Sequence, residues 1–252
     1  MKKNQMKKMK YLILIILPLL IGCGGSREIT NYTPIHADSL YQYSNNQIKK
    51  TYNAKPQITL PIKLSYYSSS DELEPIVDPL QKSKIISKIY SIPTSLAEGD
   101  NYYERKSHPW YYMYGFPVST NTSQLRLLAA QGRTDVLLYC GQIIQKDVSL
   151  NNLAWADILI IPILFTHSYD MSIKESVDIF IIDVKNNYLY AYQRLEEDYN
   201  KNGATIWEIQ DSQIEKIKKR LLNKIISKAV NYIENELSDP KNRKHEIGCT
   251  IK

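Results

Sequence analysis

Histidine, cysteine and carboxylate side chains are the groups in this sequence best suited to chemistry, and they are scattered. The histidines are His36, His108, His167 and His245, and their spacing matches no metal site or catalytic triad. Cys140 with His108 or His167 would supply a thiol nucleophile and a base. However, Cys140 lies in the apolar run VLLYCGQII, where we expect a buried strand, whereas reactive thiols are partly exposed. We therefore expect no catalytic cysteine.

Carboxylate pairs offer a second route to chemistry, through proton transfer or cation binding. Asp178 and Asp183 lie on one predicted strand at an odd separation, so the two-residue period of a strand points them to opposite faces. We interpret them, like Glu196, Glu197 and Asp198, as solubilising groups at strand ends. The motifs G-x-G-x-x-G, G-x-x-x-x-G-K-[ST], H-E-x-x-H and G-x-S-x-G are absent from the sequence. We expect no enzymatic activity, cofactor or metal, with an unrecognised enzyme as an alternative.

One segment is rich in residues that recognise other molecules. It reads AEGDNYYERKSHPWYYMYGFPVSTNT, and turn residues bound it on both sides. Tyrosine and tryptophan combine a large apolar area with a polar edge, as binding surfaces require. A pair of strands whose aromatic rings cover the sheet is the alternative. The candidate recognition loop consists of Tyr102, Tyr103, Trp110, Tyr111, Tyr112 and Tyr114.

The amino terminus has the pattern of a secretory signal. MKKNQMKKMK supplies five lysines before the apolar run YLILIILPLLI and the small residue Gly22. The run has about 11 residues, whereas a helix that spans a bilayer needs roughly 20. The quartet Leu20, Ile21, Gly22 and Cys23 resembles the lipobox of bacterial lipoproteins.

The lipobox resemblance implies where the mature chain begins and where it resides. In that family the cysteine thiol receives a diacylglycerol and the chain is cut before it, so residues 1–22 would be removed and Cys23 lipidated. Two or more acyl chains anchor a protein stably at a membrane. Gly24 stands where an aspartate would signal retention at the inner membrane. We therefore expect the cell envelope, at the outer membrane facing the periplasm. An uncleaved apolar anchor is the alternative.

Removal of the signal changes the charge of the chain. The formal net charge is +6, and five lysines precede Cys23, so the mature chain is near +1, because 6 minus 5 is 1. It also has no basic stripe with interleaved aromatic residues, so we expect no nucleic-acid partner. The expected partners are the membrane, through the lipid anchor, and an unidentified envelope protein. In an oxidising compartment Cys140 and Cys249 can pair; otherwise Cys140 is buried and Cys249 is a free thiol.

The remaining sequence predicts one folded domain on a tether. Residues 23–55 are polar and favour a flexible tether, residues 56–238 favour a single domain, and residues 239–252 form a polar tail. The fold class is α/β (α+β), with a single mixed β-sheet that ends in antiparallel strands. Two or three helices pack on it, including a long carboxyl-terminal helix.

Periodicity places the elements along this domain. ITLPIKLSYY predicts the first strand, and Asp78 begins a predicted helix that continues through PLQKSKIISKIY. A short helix stops at Gly132 and leads into the strand VLLYCGQII. DILIIPILF, VDIFIIDV and YLYAYQRL predict three further strands, with a hairpin turn at KNN between the last two. Ser212 and Glu215 form a predicted capping box for the final helix.

The order of these elements resembles the small α/β domains of bacterial envelope lipoproteins, such as the TolB amino-terminal and CsgG types. LPIKLSYY, RTDVLLYC and SVDIFIIDVKNNYLYAYQ resemble the rhombotarget or rhombotail lipoproteins most closely. The resemblance covers roughly residues 60–195 and offers no catalytic residues to carry over. It implies a non-catalytic binding or assembly module in the cell envelope. A structural subunit of a secretion or assembly complex, as in the CsgG type, is the alternative.

Overall fold

The computed structural model describes residues 26–31, 50, 52–98, 122–151 and 167–243. Its α-helices are α1 (Val77–Gln81), α2 (Thr94–Glu98), α3 (Thr122–Gln131) and α4 (Asp211–Ser238), and short 3-10 helices cover Asp71–Ile76 and Pro240–Asn242. Its strands are β1 (Ser26–Asn31), β2 (Ile62–Ser68), β3 (Ile86–Ser91), β4 (Val136–Leu150), β5 (Tyr169–Asp183) and β6 (Leu189–Ala204). None of the helices in this part of the chain is both long and apolar enough to cross a membrane.

The strands form one mixed sheet in the order β3-β2-β4-β5-β6, and β1 also pairs with β4. β2 runs parallel to β3, with Leu64 opposite Ile89, and parallel to β4, with Leu64 opposite Val136. The end of β5 meets the beginning of β4 through a backbone hydrogen bond from Val184 N to Asp135 O (3.0 Å), so these strands are antiparallel. β5 and β6 are joined by a turn too short for a parallel crossover, so they are antiparallel as well.

The chain divides into two compact units, and the larger contains residues 29–144, 174–197 and 220–252. In it helices cover both faces of the sheet, because alternate residues of β4 belong to two different cores. One core packs Leu138 and Cys140 against α1 and α4, with Ile225 and Ile233 fully buried. The other packs Leu137 and Tyr139 against α2 and α3. Helices on both faces of parallel strands define an α/β arrangement, which confirms the predicted fold class.

The smaller unit contains residues 1–28, 145–173 and 198–219. Its described strand ends are held together by Asp170, whose Oδ1 accepts hydrogen bonds from Asn151 Nδ2 (3.3 Å) and from the backbone N–H of Gly203 (3.0 Å). Gly203 has a φ of 69°, in the left-handed region, and a Cβ there would lie 3.2 Å from the Cβ of His167. Glycine is therefore favoured at this position near the end of β6, by its backbone conformation and by the tight space beside His167.

The hairpin between β5 and β6 forms around the buried carboxylate of Asp183. Its Oδ1 accepts hydrogen bonds from the backbone N–H groups of Lys185 (2.8 Å) and Asn186 (2.9 Å), and its Oδ2 accepts one from the Tyr190 hydroxyl (2.6 Å). Burial, and then the hydrogen bond to Asp183, raise the pKa of Tyr190. The interpretation of Asp183 as a solubilising group is wrong: its oxygens satisfy the turn, and only 3% of the residue is exposed. Asp178 does lie on the opposite face, as predicted.

Residues 55–58 of the larger unit lie beside this hairpin. The backbone N–H of Gln57 donates to the Tyr190 hydroxyl (3.1 Å), and Asn186 Nδ2 donates to Lys55 O (2.7 Å). Ile58 forms an isolated parallel bridge with Arg243 and is buried. Residues 55–58 are therefore fixed to the folded unit at several points.

The structure differs from the predicted elements in four places. KIISKIY forms β3 and not the second half of a helix, because parallel pairing with β2 places Ile86 opposite Ile62. β1 falls within the predicted tether. The first strand begins at Ile62 and not at Ile58. α4 already begins at Asp211, so Ser212 lies in its first turn and is not the N-cap. DILIIPILF lies outside the described residues.

Candidate binding surface

The residues predicted to carry the function lie outside the described part of the chain. These are Cys23 and the candidate recognition loop, which runs from Tyr102 to Tyr114. The described residues offer a different aromatic feature, on the sheet face that α2 and α3 cover in part.

Four aromatic rings form a row across four neighbouring strands. Tyr67 on β2 stacks on Tyr139 of β4, with 5.6 Å between ring centroids. Tyr139 meets Phe180 of β5 edge to face at 5.8 Å, and Phe180 meets Tyr192 of β6 at 4.6 Å. These separations lie in the range where aromatic pairs attract one another beyond simple area burial. We call these four residues the aromatic row.

The aromatic row passes from the core to the surface. Tyr67 and Tyr139 are at most 1% exposed, Phe180 is half-buried, and Tyr192 is 47% exposed. Packing of the buried rings against one another and against α3 fixes the position of the exposed ring. The ring of Tyr192 therefore offers a large contact area that is already fixed in position, so a partner would lose little side-chain entropy on binding it. This is typical of residues that contribute strongly to binding.

A paired charge lies directly beside the exposed end of the row. Arg194 contacts Asp178 through two hydrogen bonds, from Nε to Oδ1 (2.7 Å) and from Nη2 to Oδ2 (2.7 Å). The hydroxyl of Tyr192 also donates to Asp178 Oδ1 (3.1 Å). These hydrogen bonds raise the pKa of the Arg194 guanidinium, while burial and then Asp178 raise the pKa of Tyr192. Tyr192, Arg194 and Asp178 thus form a rigid polar edge around an apolar ring.

The neighbouring carboxylates of β6 are paired as well. Glu196 forms an ion pair with Lys174 (2.7 Å), and Glu197 pairs with Lys224 (3.4 Å) and Lys228 of α4. Hydrogen bonds from both lysines lower the pKa of Glu197, and the one from Lys228 has the larger effect. The Glu196 pair joins β5 to β6 on the face of the aromatic row, and the Glu197 pairs join β6 to α4 on the opposite face.

Cys140 is placed where it cannot act as a nucleophile. The thiol is free of any disulfide and fully buried on β4. Burial raises its pKa far above the ordinary thiol range, so almost no thiolate is present at neutral pH. This agrees with the prediction of a buried Cys140, whereas Cys249 lies outside the described residues.

A thiol reagent is therefore expected to leave Cys140 unmodified in the folded protein at pH 8. In the processed full chain carrying Cys249→Ser, labelling measured by intact mass should appear only after denaturant is added. The same chain with Cys249 restored serves as the control for reagent activity. Rapid native labelling of Cys140 would show that β4 opens or that the thiol is accessible.

Comparisons with known proteins add little to this picture. No family model matches the chain, and no curated protein matches it. Among solved structures it is similar to the lipoprotein GNA1162 of Neisseria meningitidis, with 14% identity over 69% of this chain and 99% of that chain and a TM-score of 0.31. A hypothetical protein of Chlamydia trachomatis, CT253, gives 14% identity, 71% and 98% coverage, and a TM-score of 0.29.

TM-scores at this level do not establish a shared fold. The prediction of a cell-envelope location therefore continues to rest on the resemblance of Leu20 to Cys23 to a lipobox, and the resemblance to rhombotarget and CsgG-type lipoproteins stays a prediction.

The sequence indicated the strands of the aromatic row but not the row itself. Phe180 and Tyr192 lie in runs correctly predicted as β5 and β6, and Tyr139 lies in the predicted β4. Their meeting depends on strand order, which the sequence does not specify. A usable signal was present in the alternation of β5, because Asp178 and Phe180 share one face and Val177, Ile179 and Ile181 share the other.

Proposed function

We propose that this chain is a lipid-anchored protein of the bacterial cell envelope. The quartet Leu20, Ile21, Gly22 and Cys23 after a short apolar run supports lipidation of Cys23. The residue after the cysteine is Gly24 and not aspartate, which favours the outer membrane with the folded part facing the periplasm. The membrane is then a partner through the anchor alone.

The folded part of the chain acts, in this proposal, as a non-catalytic binding or assembly module. The observation that carries it is the exposed end of the aromatic row, where Tyr192 lies on a rigid support beside the Asp178–Arg194 pair. Large aromatic side chains next to arginine, held by packing, are the groups that dominate binding energy at protein interfaces. An envelope protein is therefore the proposed partner of this surface.

Photo-crosslinking tests this surface directly. A photoreactive phenylalanine analogue at position 192 keeps an aromatic ring in place, and the same analogue at Tyr52, which is 88% exposed, is the matched control. In intact cells we expect a discrete crosslinked species from position 192 and none in common with position 52. Arg194→Ala should weaken the crosslink from position 192. Identical products from both positions, or none from position 192, would contradict the proposed surface.

A structural subunit of an envelope complex is the second candidate, and the placement of β6 favours it. β6 is the last strand on the described sheet path, and in this second proposal a strand of another chain pairs with its outer edge. Native mass measurement of the processed chain in detergent distinguishes the candidates. A stable ring or defined oligomer supports a complex subunit, and a monomer supports a binding module.

Catalysis is not part of the proposal. Cys140, the nucleophile that the sequence offers, is buried and protonated, and the carboxylates near the aromatic row are committed to ion pairs. A cofactor is not required for the proposed role.

A further inference from the structure

A second cluster of polar residues lies at the point where the sheet changes its direction of winding. The connection from β2 to β3 packs α1 on one face, and the connection from β3 to β4 packs α2 and α3 on the other. In open α/β sheets, ligands bind between such strands, beyond the carboxyl end of the first. In this chain that position lies just after Ser68, between β2 and β4.

The side chain of Gln142 lies at the centre of this cluster. Its Nε2 donates to Glu175 Oε1 (2.6 Å) and to Glu72 Oε2 (3.1 Å). Its backbone N–H donates to Ser69 Oγ (3.0 Å), and Ser69 N donates to Cys140 O (3.0 Å). The carboxylates of Glu72 and Glu175 thus both accept hydrogen bonds from the Gln142 carboxamide. Beside them, Ser69 forms hydrogen bonds that connect the end of β2 to β4.

The carboxamide is incompletely satisfied. Gln142 is fully buried, and its Oε1 has no hydrogen-bond partner. A buried polar atom without a partner costs free energy and indicates strain, function or a missing ion or ligand. Glu72 is exposed, so the cluster communicates with solvent through one of its carboxylates.

The charges of the side chains at this position determine whether an anion or a cation can bind there. Phosphate is the usual ligand beyond the carboxyl end of such a strand, where the turn after it offers N–H groups. Here the first turn after β2 carries Asp71, Glu72 and Glu74, and its N-cap Ser70 already accepts from Glu72 N. Three carboxylates in this turn would repel an anion and attract a cation.

We propose that Gln142, Glu72 and Glu175 form a binding site for a divalent cation with oxygen ligands, of which Ca²⁺ is the type. Half a rotation of the Gln142 carboxamide about its Cγ–Cδ bond exchanges Nε2 for Oε1. The amide oxygen then faces two carboxylate oxygens at the spacing now held by Nε2. Neighbouring oxygens around a bound Ca²⁺ are about 3 Å apart, given metal–oxygen distances near 2.4 Å.

In the cation-free state the two N–H groups of Gln142 Nε2 donate to the carboxylates that the cation would otherwise bind. When the cation binds, Oε1 gains the cation as a partner and the charges of both carboxylates are neutralised, whereas Nε2 gives up its two carboxylate partners, which keeps the net affinity low. In the described part of the chain no three or more His, Cys, Asp or Glu side chains are arranged around a metal position. This site differs because its third ligand is an amide oxygen, with water completing the shell.

The test is cation binding by the processed full chain in detergent, after dialysis against a chelator. Isothermal titration with CaCl₂ alone should show one saturable ion per chain in the 10⁻⁴ to 10⁻³ M range expected of weak extracellular sites. Thermal unfolding at 10 mM CaCl₂ should shift upward by about 3–10 °C. MgCl₂ should bind more weakly, because Mg²⁺ demands closer octahedral geometry.

Variants locate the site. Glu72→Gln should weaken Ca²⁺ binding at least about tenfold, and Glu74→Gln, in the same exposed turn, should change it less than about twofold. Gln142→Glu should lower stability without cation and make the thermal shift with CaCl₂ larger, which a purely structural hydrogen bond would not do. No saturable binding up to 10 mM, or equal effects of the two glutamate variants, would overturn the proposal.

Discussion

Replacement of Asp183 by alanine is expected to lower the free energy of unfolding by about 3 kcal/mol. The carboxylate accepts two backbone hydrogen bonds that close the β5–β6 hairpin and one from the buried hydroxyl of Tyr190. Its removal leaves these donors with fewer partners in a site where water cannot easily replace it. Residues 55–58 should loosen too, because Gln57 N donates to the same hydroxyl.

Asp178→Ala is the matched control, since the two aspartates occupy opposite faces of one strand. Asp178 has an equally well-formed contact, with Arg194, but the guanidinium of Arg194 is partly exposed and water can solvate it after the change. We expect a loss of about 1 kcal/mol, as for other ion pairs near the surface. Asp183→Asn should lie between the two, because it keeps one acceptor for the backbone donors.

Urea unfolding followed by circular dichroism measures all three variants. The midpoints should shift in the order Asp183→Ala, Asp183→Asn, Asp178→Ala, with an unchanged slope. Hydrogen exchange should show faster exchange at the Gln57 amide in Asp183→Ala and not in Asp178→Ala. Equal losses of stability for the two alanine variants would mean that the hairpin does not depend on the buried carboxylate.

The contrast between these aspartates shows what sequence patterns can and cannot predict. The two-residue period correctly placed Asp178 and Asp183 on opposite faces. It did not indicate which of the two carboxylates is buried, because burial of Asp183 depends on Tyr190 and on the turn that follows. Local periodicity likewise found α3, β4, the β5–β6 hairpin and α4, whose signals lie within each segment.

The sequence did not predict the elements whose formation depends on residues far away along the chain, namely β3 and the second half of β6. The apolar residues of KIISKIY follow a helical period, but the parallel pairing with β2 overrides it and forms a strand from Ile86. The second half of β6, LEEDYNKNGA, has almost no apolar pattern. Its charged residues extend the strand because ion pairs hold them, including Glu196 with Lys174 and Glu197 with Lys224.

The candidate sites follow the same rule. The aromatic row takes one ring from each of four strands, and the Gln142 cluster joins Glu72 of a 3-10 helix to two strands, so both arise from strand order. The lipobox is different because the processing enzymes read it as a linear motif. Its prediction therefore needs no fold, and it can be tested without one.

Replacement of Cys23 by serine is expected to abolish lipidation completely, since a hydroxyl does not receive the diacylglycerol that the thiol does. Intact mass should show a chain that retains residues 1–22 and carries no lipid, whereas the unaltered chain begins at Cys23 with its acyl chains. Cys249→Ser is the matched control and should change neither processing nor lipid mass.

Membrane fractionation completes this test, and the apolar run requires a second variant. Cys23→Ser keeps YLILIILPLLI, which can hold an unprocessed chain at the membrane although it is shorter than a spanning helix. A chain that begins at Gly24 behind an ordinary cleavable signal lacks both the run and the thiol, and it should move entirely to the soluble fraction. Loss of the lipid removes the two-chain anchor on which stable attachment depends. If the unaltered chain instead retains Met1 and carries no lipid, the apolar run is an uncleaved anchor and the lipoprotein proposal is wrong.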